Sequence, residues 1–256
     1  MAIIVKTKEE INIIRQGGKI LASVLRRLGE SVAPGVSTGD LETLACDLIA
    51  AAGGQPSFKG YESGGRPFPT ALCASINHEV VHAPALPSRV LQSGDIIGID
   101  VGMEYKGYFT DMAATFGVGK ISEEAKKLIK VTRESLERGL GQIKPGNSLN
   151  DIARAIQTFV EANGFSIVRD LVGHGVGHEV HEDPQIPNFV IPINDNIILR
   201  PGMVIAIEPM VNVGGFAIKN GKDGMTFETA DKSLSAHFEY TVAVTAEGCE
   251  ILTKNS

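Results

Sequence analysis

Four carboxylates stand where strand-like sequence would otherwise bury only apolar side chains: Asp100 in "GDIIGIDVG", Asp111 in "GYFTDMAATF", Glu208 in "MVIAIEPMVNV" and Glu239 in "AHFEYTVAVT". In the first stretch Ile97, Ile99 and Val101 alternate onto one face, leaving Gly98, Asp100 and Gly102 on the other. A tight turn centred on Tyr105 and Lys106 would bring Asp111 directly opposite Asp100, with Cβ atoms about 4.5–5.5 Å apart. Opposed anions raise each other's pKa unless a cation lies between them, whereas a slipped register would turn both to water. The four acids carry a charge of −4, which two divalent ions would balance while activating a water held between them. So oxygen-rich a set suits manganese, iron, cobalt or magnesium better than a structural zinc, which prefers sulfur and nitrogen.

Nitrogen ligands must come from the six histidines. Three of these fall in "GHGVGHEVHEDP", Gly173 to Pro184, where "HEVH" is one residue short of the zinc-protease motif H-E-x-x-H and the glycine density disfavours a helix. His174, between Gly173 and Gly175, is the best nitrogen donor, because the backbone can bend there and an ion can approach. Spacing alone does not rank His178 against His181. His82, in "INHEVVHAPALP", follows a strand-like run and precedes a proline loop, a position suited to meeting substrate. His78 and His237 have polar neighbours and read as exposed.

The elements that must position these groups are helices and strands in alternation. Thr7 and Glu10 have capping-box spacing, and Ile11, Ile14, Leu21, Leu25 and Leu28 then recur at helical intervals. A second helix follows "APGVSTGDL", with Leu41, Leu44, Ala45, Leu48 and Ile49 on its apolar face and Gly53 and Gly54 at its end. That phrase returns 111 residues later as "KPGNSLNDI", where Gly53 aligns with Gly164. A Pro-Gly turn before a capped helix is common by chance, but the matched helix end favours a repeat. The expectation is one α/β (α+β) domain spanning 1–256, built of two similar halves, roughly 1–118 and 119–256, with the site at their junction.

Composition narrows the class of function. The chain has 256 residues, 43% of them hydrophobic, and a net charge of −6 without a basic run, which disfavours nucleic acid and anionic membranes as partners. Cys46, Cys73 and Cys249 are few, scattered and odd in number, pointing to a reducing cytoplasm. The start, "MAIIVKTKEEINIIRQ", offers no export signal, and no apolar run approaches the roughly 20 residues of a membrane span.

Taken together, Asp100, Asp111, His174, Glu208 and Glu239 resemble the ligand set of the type I methionine aminopeptidases, a family of pita-bread metallopeptidases. The resemblance includes "CASIN" before His82, "GIDVG", "GYFTDMAATF", "GHGVG", "HEDP", "PGMVIAIEPM" and "SLSAHFEYTVAVT". It implies a pita-bread fold of two pseudo-symmetric halves, with antiparallel strands covered by helices and a dinuclear metal site between them. Asp100 would chelate one ion, His174 and Glu208 would bind the other, and Asp111 and Glu239 would bridge the two. The ions would be cobalt, manganese, iron, zinc or nickel.

The resemblance further implies hydrolytic removal of initiator methionine from nascent polypeptide N-termini when the second residue is small. Water between the metals would attack the first peptide carbonyl with Glu208 relaying its proton, His181 stabilising the oxyanion and His82 bonding the scissile amide. Tyr61, Phe68, Cys73 and Met225 match the methionine-pocket wall, although Met225 stands where some relatives have tryptophan and Val180 where they often have phenylalanine. His178 falls on a position the family does not use for metal. The expected enzyme is a cytoplasmic monomer that visits the ribosome. Ala2, a small residue after Met1, makes the chain's own start a fitting substrate. Two other readings are an X-Pro-cleaving relative, disfavoured by the lack of a preceding domain, and a metal-free binding module, disfavoured by the intact ligand set.

Overall fold

The computed structural model describes residues 3–63 and 65–254; Met1, Ala2, Gly64, Asn255 and Ser256 lie outside them. The expectation drawn from Ala2 therefore falls outside the described residues. Helix α1 (Lys8–Ser31) starts at the expected capping box, with Thr7 N–H donating to Glu10 Oε2 at 2.7 Å and Glu10 N–H to Thr7 Oγ1 at 3.2 Å. Helix α2 (Thr38–Ala51) follows, then α3 (Glu123–Leu140) and α4 (Leu149–Ala162).

The two copies of the repeated phrase adopt the same local structure. Gly35 and Gly146 have φ of 93° and 92°, and Gly53 and Gly164 close the helices at 76° and 83°, values that favour glycine. Asp40 accepts from Ser37 N–H at 2.9 Å and Asp151 from Ser148 N–H at 2.7 Å. Outward of each cap, Ser37 bridges to Val90 and Ser148 to Ile198.

Among the described residues the largest sheet has nine antiparallel strands and runs under the helices. Its centre is a hairpin of Ile96–Tyr105 with Tyr108–Gly117, closed by Lys106 and Gly107, both at positive φ (54° and 81°). Glu239–Val244 pairs beside the hairpin, Val204–Ile207 beside that, and Gly173–Gly175 beside that. Alternation sends Ile97, Ile99 and Val101 into a core with Leu21, Leu25 and Leu28 of α1. Farther along, Ile205, Ile207 and Val242 pack with Leu128 of α3 and with Ile152 and Ile156 of α4. The helices thus seal one face of the sheet, and the other is left for polar groups. Among the described residues, no helix is long and apolar enough to cross a membrane.

The hairpin register differs from the sequence expectation. Asp100 pairs with Ala113, and Asp111 with Gly102. A type I′ hairpin turn needs positive φ at both central positions, and Lys106-Gly107 supplies it more easily than Tyr105-Lys106. The shift moves each partner by two residues and preserves the face. Asp100 and Asp111 are therefore diagonal neighbours on one surface.

Candidate metal centre

The register collects the five expected ligands on the face opposite the helices. Ala113 stands between Asp100 on one neighbouring strand and Glu239 on the other, and its small side chain leaves the two carboxylates room to approach across it. Asp111 lies two residues from Ala113, on the same side. One strand farther, Ala206 pairs with His174, and Glu208 projects just past the end of Val204–Ile207. The glycines around His174 have a steric role: a Cβ on Gly173 would meet Ala206 O at 2.4 Å, and one on Gly175 would meet Asp183 O at 2.4 Å. Close strand packing thus accounts for the glycines that sequence reading assigned to bending and ion access.

His174 Nε2 is the focus of the cluster, 3.6 Å from Glu208 Oε1, 3.9 Å from Glu239 Oε1 and 4.0 Å from Asp111 Oδ2. Ligand atoms of Asp111, His174 and Glu239 all lie within 4.8 Å of one another. Asp100, Asp111 and Glu239 are 8%, 4% and 2% exposed, and Asp100 Oδ1 and Glu239 Oε1 are buried without a hydrogen-bond partner. Buried anions this close, with orphaned oxygens, need positive charge from outside the chain. The residues therefore fit divalent metal.

The electrostatics agree with that reading. Burial raises Asp100 to about 6, with nearby His237 opposing the shift and Glu208 adding to it. Asp111 and Glu239 are pushed well above the ordinary carboxylate range by burial and then by the neighbouring carboxylates. Glu208 differs: burial pushes it upward, but His237, His174 and His82 around it outweigh that and hold it below its ordinary value. One acid of the cluster thus keeps its charge readily while its neighbours resist theirs.

The other expected residues line the same cavity, of about 340 Å³, into which Asp100, Asp111, His174, Glu208 and Glu239 face. Tyr61, Phe68, Cys73 and Met225 line it, with Cys73 directly opposite Asp100 in strand register, and His82 and His181 line it too. His181 Nδ1 is 2.8 Å from the Tyr61 hydroxyl, and its ring centroid is 4.5 Å from that of His174. Both His82 and His181 reach the cleft mouth, yet its walls desolvate them below the usual imidazole value, His181 to about 4 with His174 contributing. His82 is held at a φ of 58°, with its ring edge-on to Phe227. His178 turns elsewhere: its Nε2 is 2.7 Å from Glu10 Oε1 at the start of α1, and its N–H donates to Glu182, whose other oxygen is paired with buried Lys6.

The profile of metallopeptidase family M24 matches residues 12–246. The chain belongs to metallopeptidase family M24. It is 50% identical over 252 residues to a methionine aminopeptidase of Clostridium perfringens, covering 98% of both chains. The crystal structure of methionine aminopeptidase from Thermotoga maritima superposes with a TM-score of 0.95 at 45% identity, covering 99% of this chain and 100% of that one. The prolidase of Pyrococcus horikoshii, at 23% identity, shares the fold alone, with a TM-score of 0.78 and 64% of its length covered. The fold is accordingly the pita-bread fold, and the family implies divalent metal at the cluster just described.

Within this M24 site, several lining residues escaped sequence reading. Phe58 fills the space that the missing side chain of Gly102 leaves, since a Cβ there would meet the Phe58 ring at 2.5 Å. Phe58, Cys73 and Val180 form one small buried cluster at the apolar end, and Phe227, Arg66 and Gly224 complete the lining. Apolar residues in apolar surroundings carry no local signal of a pocket. His237 requires a correction. Expected at the surface, it is 3% exposed, with Nε2 3.4 Å from Glu208 Oε2. Its place two residues before Glu239 in a strand-like run, on the same face by alternation, was the available signal. His78 is half-buried beside Lys232 Nζ at 3.0 Å.

Proposed function

We propose that this M24 metallopeptidase removes initiator methionine from polypeptides whose second residue is small. The observation that carries the reading is one cavity with two unlike ends: a cluster of four carboxylates and an imidazole, and, within reach of it, an apolar wall of Phe58, Tyr61, Phe68, Cys73, Met225 and Phe227. The apolar end suits an unbranched thioether side chain, and the buried anions favour a substrate's free α-ammonium at the same place.

In this reading Asp100 would hold one divalent ion, His174 and Glu208 would hold a second, and Asp111 and Glu239 would serve both. Ions bound there supply Lewis acidity and lower the pKa of water. Glu208, the acid whose pKa lies below its ordinary value, is ionised at neutral pH and takes the proton of the attacking water. His181, neutral at that pH and held through Nδ1 by Tyr61, donates through Nε2 to the carbonyl oxygen as it gains charge. His82, which lines the same cavity, hydrogen-bonds the scissile amide. A second cleft, of about 630 Å³, meets the first at His82, His174, His181 and Glu208. Its apolar walls of Val81, Leu171, Val172 and Met210 lead the rest of the substrate away.

The same reading makes the chain one domain of two related halves, roughly 1–118 and 119–256, acting as a cytoplasmic monomer on chains leaving the ribosome. The shared cap geometry of the repeated phrases supports the two-half division. The test is release of methionine from Met-Ala-Ser by metal-stripped protein reloaded with manganese, cobalt, iron, zinc or nickel. Free methionine is expected with at least one metal, and faster than alanine release from Ala-Pro. Preference for Ala-Pro, or no release with any metal, would reject the proposal.

A further inference from the structure

Glu208 is bracketed by two imidazoles, one on each carboxylate oxygen. Oε1 lies 3.6 Å from His174 Nε2, and Oε2 lies 3.4 Å from His237 Nε2. The second contact is too long for a good hydrogen bond, and His237 Nε2 is buried without a hydrogen-bond partner. Leaving such a group unsatisfied costs roughly 1–3 kcal/mol. An apolar side chain would fill the same space without that cost.

The backbone around His237 is fixed on two sides. It pairs with Met210, two residues beyond Glu208, so the strand Ser235–His237 runs alongside the segment that carries the glutamate. On the other side, its N–H donates to Thr115 Oγ1 at 2.9 Å, and the Thr115 hydroxyl donates to its carbonyl at 2.9 Å. Thr115 belongs to the same hairpin strand as Asp111. The clamp thus sets the histidine's main chain relative to both strands that bear the acids.

We propose that His237 is a positioning residue: with its proton on Nε2 it holds Glu208 Oε2 and thereby presents Oε1 to the ion shared with His174. The inference rests on the metallopeptidase reading of the site. His237 itself has no role as a ligand or as a proton carrier. Groups that orient a metal ligand in this way are typically worth about 10–100-fold in metal affinity or activity.

Three variants separate this role from packing. His237→Leu fills the volume without a donor, His237→Asn carries a donor too short to reach, and His237→Gln carries one that reaches. Metal-free protein is titrated calorimetrically with Mn²⁺, kcat and KM are measured on Met-Ala-Ser, and thermal melts of the metal-free proteins establish folding. The Leu and Asn variants should bind Mn²⁺ roughly 10–100-fold more weakly and lose kcat, with KM within about threefold, while Gln stays within about fivefold of wild type. Wild-type Mn²⁺ affinity in a folded Leu or Asn variant overturns the proposal, and so does a Gln variant as weak as Leu. If the wild-type protein leaves Met-Ala-Ser uncut with every metal, the substrate reading fails, while the order of Mn²⁺ affinities still decides the role of His237.

Discussion

The two ends of the central cavity are built on opposite principles. At one end Asp100, Asp111 and Glu239 are buried acids, with one oxygen each of Asp100 and Glu239 left without a partner, an arrangement that destabilises the protein until cations neutralise it. At the other, Phe58, Cys73 and Val180 pack as any small core would, and Tyr61 and Phe68 lean on them. The first end stores its function as unmet electrostatic demand. The second stores it as unfilled space beside a satisfied core. Variants of the ionic end should therefore change metal binding and chemistry, and variants of the apolar end should change substrate affinity.

The largest effect is expected at the focus of the ionic end. His174→Ala should weaken Mn²⁺ binding by about 100-fold or more, because it removes the central donor. It should also abolish the rise in Tm that metal gives the wild-type protein. Calorimetry and melting with and without EDTA read both; a variant that binds and is stabilised like wild type would erase the contrast between the ends. Next comes His181→Ala, expected to lower kcat about 100-fold at unchanged metal content, since the lost donor serves developing charge. Steady-state kinetics with metal analysis checks this, and loss of metal would move His181 into the ionic end.

The apolar end gives smaller numbers. Met225→Ala should raise KM for Met-Ala-Ser about 10-fold, as expected for burying less of the substrate side chain, with kcat and Mn²⁺ affinity little changed. A fall in kcat alone would show that the two ends do not divide the work in this way.

The smallest effect belongs to a histidine of neither end. His178 and the Thr7 N–H hold Glu10 at about 2 instead of 4.5, with the Thr7 bond the larger cause. A carboxylate depressed on folding stabilises the fold above its unfolded pKa and loses that contribution as pH falls through the folded value. His178→Ala should thus cost under about 1 kcal/mol, since the pair is partly solvated, and leave Mn²⁺ affinity and kcat near wild type. In Glu10→Gln the loss of stability should be fully present above pH 4.5 and fade toward pH 2 in melts taken across that range. Loss of metal in the His178 variant as complete as in His174→Ala would overturn the separation of the three histidines.

This division also accounts for what could be read in advance. Asp100, Asp111, Glu208 and Glu239 were legible because a charge inside a strand-like apolar run is an anomaly that burial makes costly. The helix caps at Thr7, Ser37 and Ser148 were legible because capping depends on residues three apart in sequence. Phe58 and Phe227 were not, since a pocket wall and a core are made of the same residues. His237 was misread because the residues two positions away on either side, Ser235 and Glu239, are polar, while its burial comes from pairing with a strand more than twenty residues away.

The sequence by itself determined the alternation that sends Ile97, Ile99 and Val101 one way and Asp100 the other, the capped helices, and the set of donors able to hold metal. These follow from local geometry with periods of two and 3.6 residues. Only the tertiary structure decided that Asp100 pairs with Ala113 instead of Asp111, that His174 and His237 take opposite oxygens of Glu208, and that His178 turns to Glu10. Those outcomes depend on strand register and on contacts between segments far apart in the chain. Register in the hairpin in turn hangs on which two residues accept positive φ at its turn, a choice that keeps the face of Asp100 and Asp111 and settles which residues they stand opposite.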